Sequence, residues 1–390
     1  MSDIDSGTAK SIAMLEKLIS FDTVSRNSNL DLITFVQQLL KNYGIESVLI
    51  HDANNTKANL LATIGPAIEG GVVLSGHTDV VPIDGQEWTS DPFTMTKRGG
   101  RLYGRGTADM KSFIAIILGA LDALTKSSLK SPIHLAFSYD EEVGCIGVPS
   151  LIREIKKSVP KPRAVIVGEP TGMKVVSAQK GITDVRTIVV GHEAHSSQTH
   201  SGVSAIMVAA ELIQYIRNLA ADIAVKGTHD HHFEPDHTTI SVNLIRGGTA
   251  VNILAGNCTF QWDIRSLPSE DPMVYVEQFK KHCADVVLPR LHAISPACNI
   301  ESSIQASAPP LRFEADSGAE QLCRMLTGDN DVRAVSYAAE AGHFQQNDIS
   351  AVICGPGSIA QAHQPNEYID VEQVKMGTRF LYDLINHLSR

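Results

Sequence analysis

The sequence predicts an α/β protein into which a smaller α+β domain is inserted. Three patterns lead there. Helical and strand patterns alternate through the first half, the middle changes to the order β-α-β-β-α-β, and α/β material then resumes to the end. A length of 390 residues is long for one core, so two domains are the first expectation.

Each element follows from its spacing. "SIAMLEKLI" and "LDLITFVQQLLKNY" place apolar residues at helical intervals. "ESVLI", "NLLATI", "GVVLSGH", "IHLAFSY" and "AVIVGE" are apolar runs of strand length. One long helix over 110–125 is expected before "IHLAFSY". Then "DVRTIVVG" reads as a strand and "GVSAIMVAAELIQYIRNLA" as a helix. "HTTISVNLIRG" and "NCTFQWDIRS" follow as strands, "PMVYVEQFKKHCADVV" as a helix and "ACNIESSIQA" as a strand, the split βαβ order of a ferredoxin-like domain. After "SAPP" come a helix at 314–326, a strand at 351–354 and a helix at 370–388.

Composition removes several function classes. The formal charge is −10 with no block of like charge, so no nucleic-acid partner is expected. "SFIAIILGALDAL" is too short to span a bilayer and contains Asp122, so no membrane partner is expected either. "MSDIDSGTAKSIAML" carries acids where a signal peptide carries a basic leader, which predicts a cytoplasmic protein. The six cysteines include no C-x-x-C pair, so any metal is expected on His and carboxylate. No G-x-G-x-x-G follows a strand, which argues against a dehydrogenase.

"VVLSGHTDVVP" places His77 and Asp79 two positions apart at the end of an apolar run. Residues i and i+2 of a strand share a face. A carboxylate beside a His is the usual surrounding of a metal ligand, because it takes the second ring N–H and fixes the tautomer. A buried His satisfied by a neighbouring Asp leaves the same trace.

Other acids and one His stand at strand ends and helix starts, where α/β sheets place their sites. Asp109 in "GRGTADMKSF" is either a helix cap or a ligand. Glu141 and Glu142 in "SYDEEVG" suit a helix N-terminus or a site. Glu169 in "VIVGEPT" follows a strand, and His363 lies in a Gly/Pro-marked loop. Together His77, Asp109, Glu142, Glu169 and His363 make two His and three carboxylates. Two divalent ions sharing one bridging carboxylate would use that set, zinc foremost and cobalt next. Glu141, left over beside a ligand, stands where a general base belongs.

In order along the chain, "SGHTDVVP", "GRGTADMKSF", "DEEVG", "GEPT", "GHEAHSS" and "GGTAVNI" resemble the di-zinc aminoacylase and carboxypeptidase family of metallopeptidases. The resemblance implies a three-layer α/β catalytic domain from 1–181 and 308–390. It also implies a ferredoxin-like lid domain at 182–307 that pairs two subunits into a homodimer. His77 and Glu169 are implied to hold one metal, Glu142 and His363 the other, with Asp109 bridging through a cis peptide to Met110. Asp79 is implied to orient His77, and Glu141 to act as the base. His195 is implied to donate to the oxyanion in the partner's site, and Asn252 and Arg265 to meet the substrate.

"YAAEAGHFQQ" and "ICGPGSIAQAHQPNEYI" look most like the family members that deacetylate acetylornithine. The implied reaction therefore turns N2-acetyl-L-ornithine into L-ornithine and acetate, a step of arginine biosynthesis. Ala338 departs from the small polar residue expected there. A deacylase of another N-acyl amino acid, or a dipeptidase or carboxypeptidase, is the neighbouring reading. A non-catalytic metal-binding scaffold is the reading of another class, and the presence of Glu141 speaks against it. "HDHHFEPDH", 229–237, looks metal-rich, but no family ligand maps there, and it reads as a solvated loop open to stray metal.

Overall fold

The computed structural model describes residues 3–390. The chain forms two compact units. The first runs to Ala178 and resumes at Leu311–Ala334 and Ala339–Arg390; the second is Gln179–Pro310 with Val335–Ala338.

In the first unit, α1 (Asp3–Ile19) and α2 (Leu30–Asn42) precede β1 (Ser47–His51), β2 (Ala58–Ile64) and β3 (Val72–His77). A small ribbon follows, β4 (Thr96–Arg98) and β5 (Arg101–Tyr103). Then come α3 (Lys111–Gly119), α4 (Leu121–Lys126), β6 (Ile133–Ser138), α5 (Val148–Ser158) and β7 (Ala164–Pro170). A six-stranded sheet has the order β1-β2-β6-β3-β7 followed by Ala351–Gly355. β6, β3, β7 and Ala351–Gly355 run parallel, and β2 joins β6 antiparallel.

β3, β6 and β7 are buried along their whole length. That is why they read as unbroken apolar runs: parallel strands here are covered on both faces. One helical layer contains α1, α3, α4, Gly318–Thr327 and Val371–Leu388; the other contains α2, α5 and Ala341–Gln346. The three-layer α/β fold is thus as expected.

The helix expected over 110–125 is two helices that break at Ala120. A Cβ on Gly119 would come within 2.8 Å of the Ser11 main-chain nitrogen. The missing side chain is what lets α1 press against α3 just before the break.

Two features of this unit aim the site. β3 ends on His77, paired with Ser138 at the end of β6, so the parallel strands finish together and their following loops converge. Gly168 sits under the Phe113 ring, where any Cβ would lie 2.1 Å from ring carbon, so only Gly allows β7 to deliver Glu169 there.

The second unit has the order β-α-β-β-α-β. Its antiparallel sheet runs Thr239–Gly247, Asn257–Ser266, Gly181–Val190, Asn299–Ala308. Helices Ala205–Lys226 and Met273–His282 cover one face, the second continuing through a π turn at Cys283–Val287. Their shared core holds Val185, Val189, Phe260, Trp262 and Ile264 against Leu212, Ile216 and Phe279. Burial alternates along Gly181–Val190 and Asn257–Ser266, the period-two pattern of a sheet with one covered face.

Candidate metal centre

Five expected ligands and Glu141 are gathered at the strand ends of the first unit. His77 Nε2 lies 3.0 Å from Asp109 Oδ1 and 3.6 Å from Glu169 Oε1. His363 Nε2 lies 3.4 Å from Asp109 Oδ2 and 3.0 Å from Glu142 Oε2. Asp109 thus stands between two imidazoles and offers one oxygen to each. It does not cap α3: the cap position is Met110, with no side-chain cap bond, and the Asp109–Met110 peptide is cis. Ligand atoms of His77, Glu141 and Glu169 fall within 4.8 Å of one another, as do those of His77, Asp109 and Glu142.

Asp79 acts differently from the sequence expectation. His77 Nδ1 donates to the Asp79 main-chain carbonyl at 2.9 Å, while the Asp79 carboxylate oxygen is 3.7 Å away. That carboxylate accepts the main-chain N–H groups of Glu141 at 3.1 Å and Glu142 at 3.3 Å, and the Ser25 hydroxyl at 2.7 Å. Asp79 fixes the His77 ring through its backbone and the two-glutamate turn through its side chain.

Crowded buried acids set the electrostatics. Burial lifts Glu141 and Glu169 well above the carboxylate range, and their acidic neighbours push the same way. Burial and the Asp109 charge push Glu142 up to about 7. Burial opposes the charged form of Asp109, yet hydrogen bonds from His363 and His77 hold it below the usual range. Burial also opposes His77, but Asp109 and the nearby glutamates raise it well above an ordinary imidazole. Hydrogen bonds to Asp109 and Glu142 raise His363 to about 10. Protons therefore collect where negative charge is in excess, and a bound cation would replace them.

The donor set fits divalent ions. Glu142 Oε1 and Glu169 Oε1 are buried and have no hydrogen-bond partner among the described residues. An orphaned carboxylate oxygen is costly in a core and expected at a ligand position.

Two residues that sequence reasoning missed support this cluster. Glu367 is buried and accepts from Arg105 Nη1 at 2.8 Å and from the main-chain N–H groups of Gly106, Ala108 and Asp109 at 3.0, 2.7 and 3.1 Å. Arg105 Nη2 donates to Gln86 at 2.6 Å, and Gln86 donates to the His363 carbonyl at 2.9 Å. One network thus holds the loops of Asp109 and His363. Glu340, also buried, accepts from Ser75 of β3 at 2.8 Å and from Ser138 of β6. Glu367→Ala should weaken divalent-metal affinity by about 10- to 100-fold, the usual effect of losing an outer-shell partner. Metal titration reads this directly, and unchanged affinity would remove Glu367 from the support of the site.

Residues 73–387 match the family described as Peptidase family M20/M25/M40. The chain belongs to that family. It is 33% identical over 367 residues to an acetylornithine deacetylase of Myxococcus xanthus, covering 93% of each chain. Its fold is similar to human carnosine dipeptidase 1, with a TM-score of 0.77 at 17% identity and coverage of 99% and 98% of the two chains. It is also similar to the Bacillus subtilis YXEP protein, a dinuclear metal binding peptidase, with a TM-score of 0.65 at 14% identity and 98% coverage of both. The chain is a metallopeptidase-family hydrolase that acts on amides. No described helix is long and apolar enough to cross a membrane.

The remaining expected site residues of this M20 chain lie in the second unit. His195 is exposed in the loop, ten residues before helix Ala205–Lys226 begins. Its Nδ1 accepts the Ser197 main-chain N–H at 3.2 Å and contacts the Ser197 hydroxyl at 2.7 Å. The Asn252 carbonyl accepts from Ser196 at 2.9 Å and Ile253 bridges to His195, so His195 and Asn252 sit together. Arg265 does not join them. It pairs with Ile182 while Asn257 pairs with Val190, which puts Arg265 at the other end of the strand, about 26 Å along it at strand rise. Its Nε donates to Asp263 at 2.8 Å.

Proposed function

We propose that the chain hydrolyses N2-acetyl-L-ornithine to L-ornithine and acetate, using two divalent ions, zinc foremost and cobalt next. The observation that carries this is Asp109 poised between His77 and His363, with a glutamate at each flank that has an orphaned oxygen. His77 and Glu169 would hold one ion, Glu142 and His363 the other, and Asp109 both. The substrate reading is supported by the acetylornithine deacetylase relatives, and the two-ion reading by the dinuclear relative. All six cysteines are free thiols, which suits a reducing compartment such as the cytoplasm.

When bound, the ions supply Lewis acidity to the acyl carbonyl and to the attacking water. Glu141 takes the water proton and returns it to the leaving amine. The Asp79 carboxylate, through the Glu141 N–H, holds that base in place. His195 stabilises the tetrahedral oxyanion. Its Nδ1 accepts from Ser197, so in the neutral ring the proton is on Nε2, the tautomer a donor needs. Asn252 stands beside it to meet the substrate. Arg265 bonds Asp263 through Nε, which leaves its terminal guanidinium nitrogens; because it lies at the far end of the strand from His195 and Asn252, it would reach the α-carboxylate only from the opposite chain to theirs.

The second unit serves, in this reading, as a dimerisation domain that brings His195 to the partner's site. Thr239–Gly247 is an edge strand with Leu244 and Ile245 exposed, a surface that suits a second copy. Purified protein should release acetate from acetylornithine, lose that activity on chelation and regain it with zinc or cobalt. A fully active metal-free preparation would sink the metal reading. Turnover of another N-acyl amino acid or a dipeptide, with acetylornithine untouched, would move the substrate to the neighbouring class.

A further inference from the structure

The His-rich stretch at 229–237 is largely exposed, as the solvated loop its sequence suggests, but its backbone is anchored. Lys180, buried in the second unit, donates through Nζ to the carbonyls of Pro235 at 2.7 Å and His237 at 2.6 Å. Ser336 donates to the Glu234 carbonyl at 2.6 Å, and the Asp230 N–H to the Asp236 carbonyl at 2.7 Å. Phe233 is buried in the middle, and Thr238 directly after it is buried and bonded to Glu270. The loop backbone is fixed from both ends and from beneath.

On that frame three side chains converge. Asp236 Oδ2 lies 3.0 Å from His229 Nδ1, and Asp236 Oδ1 lies 3.0 Å from His237 Nδ1. The three ligand atoms lie within 4.8 Å of one another. Donors each about 2.0–2.2 Å from one zinc ion lie a little over 3 Å apart, so small shifts would seat an ion among them. The other two imidazoles are arranged differently. His232 turns to Asp230 at 2.7 Å, and His231 is almost wholly exposed, 3.5 Å from Asp236.

We propose that His229, Asp236 and His237 form a further divalent-cation site, taking a borderline ion such as zinc with water in the open position. Two imidazoles and one carboxylate are a donor set that selects such ions over calcium or magnesium. An ion there ties the segment after helix Ala205–Lys226 to the residue that leads into the edge strand Thr239–Gly247. The ligands of the His77–His363 cluster are not used, so the two sites can be tested apart.

The test is metal stoichiometry by elemental analysis, after equilibration of the full chain with excess zinc and removal of loosely held ion. The unaltered chain should retain one ion per chain more than the His229→Ala/His237→Ala variant. Both substitutions leave the carbonyl anchors to Lys180 in place, and amide hydrolysis should be unchanged. His231→Ala/His232→Ala should keep the extra ion. The difference of one ion is the readout, so it stands whatever the first site holds. Equal stoichiometry in all three proteins overturns the proposal. So does loss of the ion in the His231/His232 variant, which would mark capture by a His-rich segment without a built site.

Discussion

Replacing Glu141 by Gln is expected to leave the metal ions bound and to lower turnover at least about a hundredfold, the low end for general-base catalysis. Gln keeps the shape of the side chain and removes the proton acceptor. The geometry gives the experiment two distinct outcomes. Glu142 Oε2 is 3.0 Å from His363, as a ligand that shares an ion with that residue would be. Glu141 accepts instead from the Cys145 thiol at 3.5 Å, yet its carboxylate also falls within 4.8 Å of His77 and Glu169 ligand atoms. If Glu141→Gln lost metal while Glu142→Gln kept it, the adjacent glutamates would have the reverse roles.

The same stretch shows where sequence reasoning reaches and where it stops. Strand ends and helix starts were legible because β3, β6 and β7 are unbroken apolar runs with abrupt polar ends, and chemistry collects at such ends. The bond of Asp79 was not legible. The period-two rule places Asp79 beside His77 only while the strand continues, and β3 ends on His77. Past that point the chain turns, and the Asp79 carboxylate meets the N–H groups of Glu141 and Glu142.

Glu367 and Glu340 left no local trace. Glu367 reaches the Asp109 N–H from 258 positions away, and Glu340 reaches Ser75 from 265 positions away. A buried acid whose partners are this remote looks in sequence like any solvated one. The anchored loop at 229–237 went unread for the same reason, since Lys180 holds it from more than fifty positions upstream.

His195→Ala is expected to lower turnover by about 10²–10³ with metal content unchanged, as loss of one oxyanion donor does. All proposed metal ligands lie in the first unit and His195 in the second. Its removal therefore leaves the ligand cluster chemically intact. The Ser197 contact explains its pose without catalysis, so the single mutant alone does not separate a donor from a structural His. Mixed subunits do. A Glu141→Gln chain keeps His195, and a His195→Ala chain keeps the base. If each second unit serves its partner's site, a hybrid dimer has one site with both groups and one with neither. After subunit exchange the hybrids should recover about half the activity of an unaltered dimer, because one of two equivalent sites is whole. If His195 served its own chain, each hybrid site would lack one group, and activity would stay at the level of the single mutants. Verified exchange without recovery therefore removes the partner role, and recovery establishes a site shared between two chains.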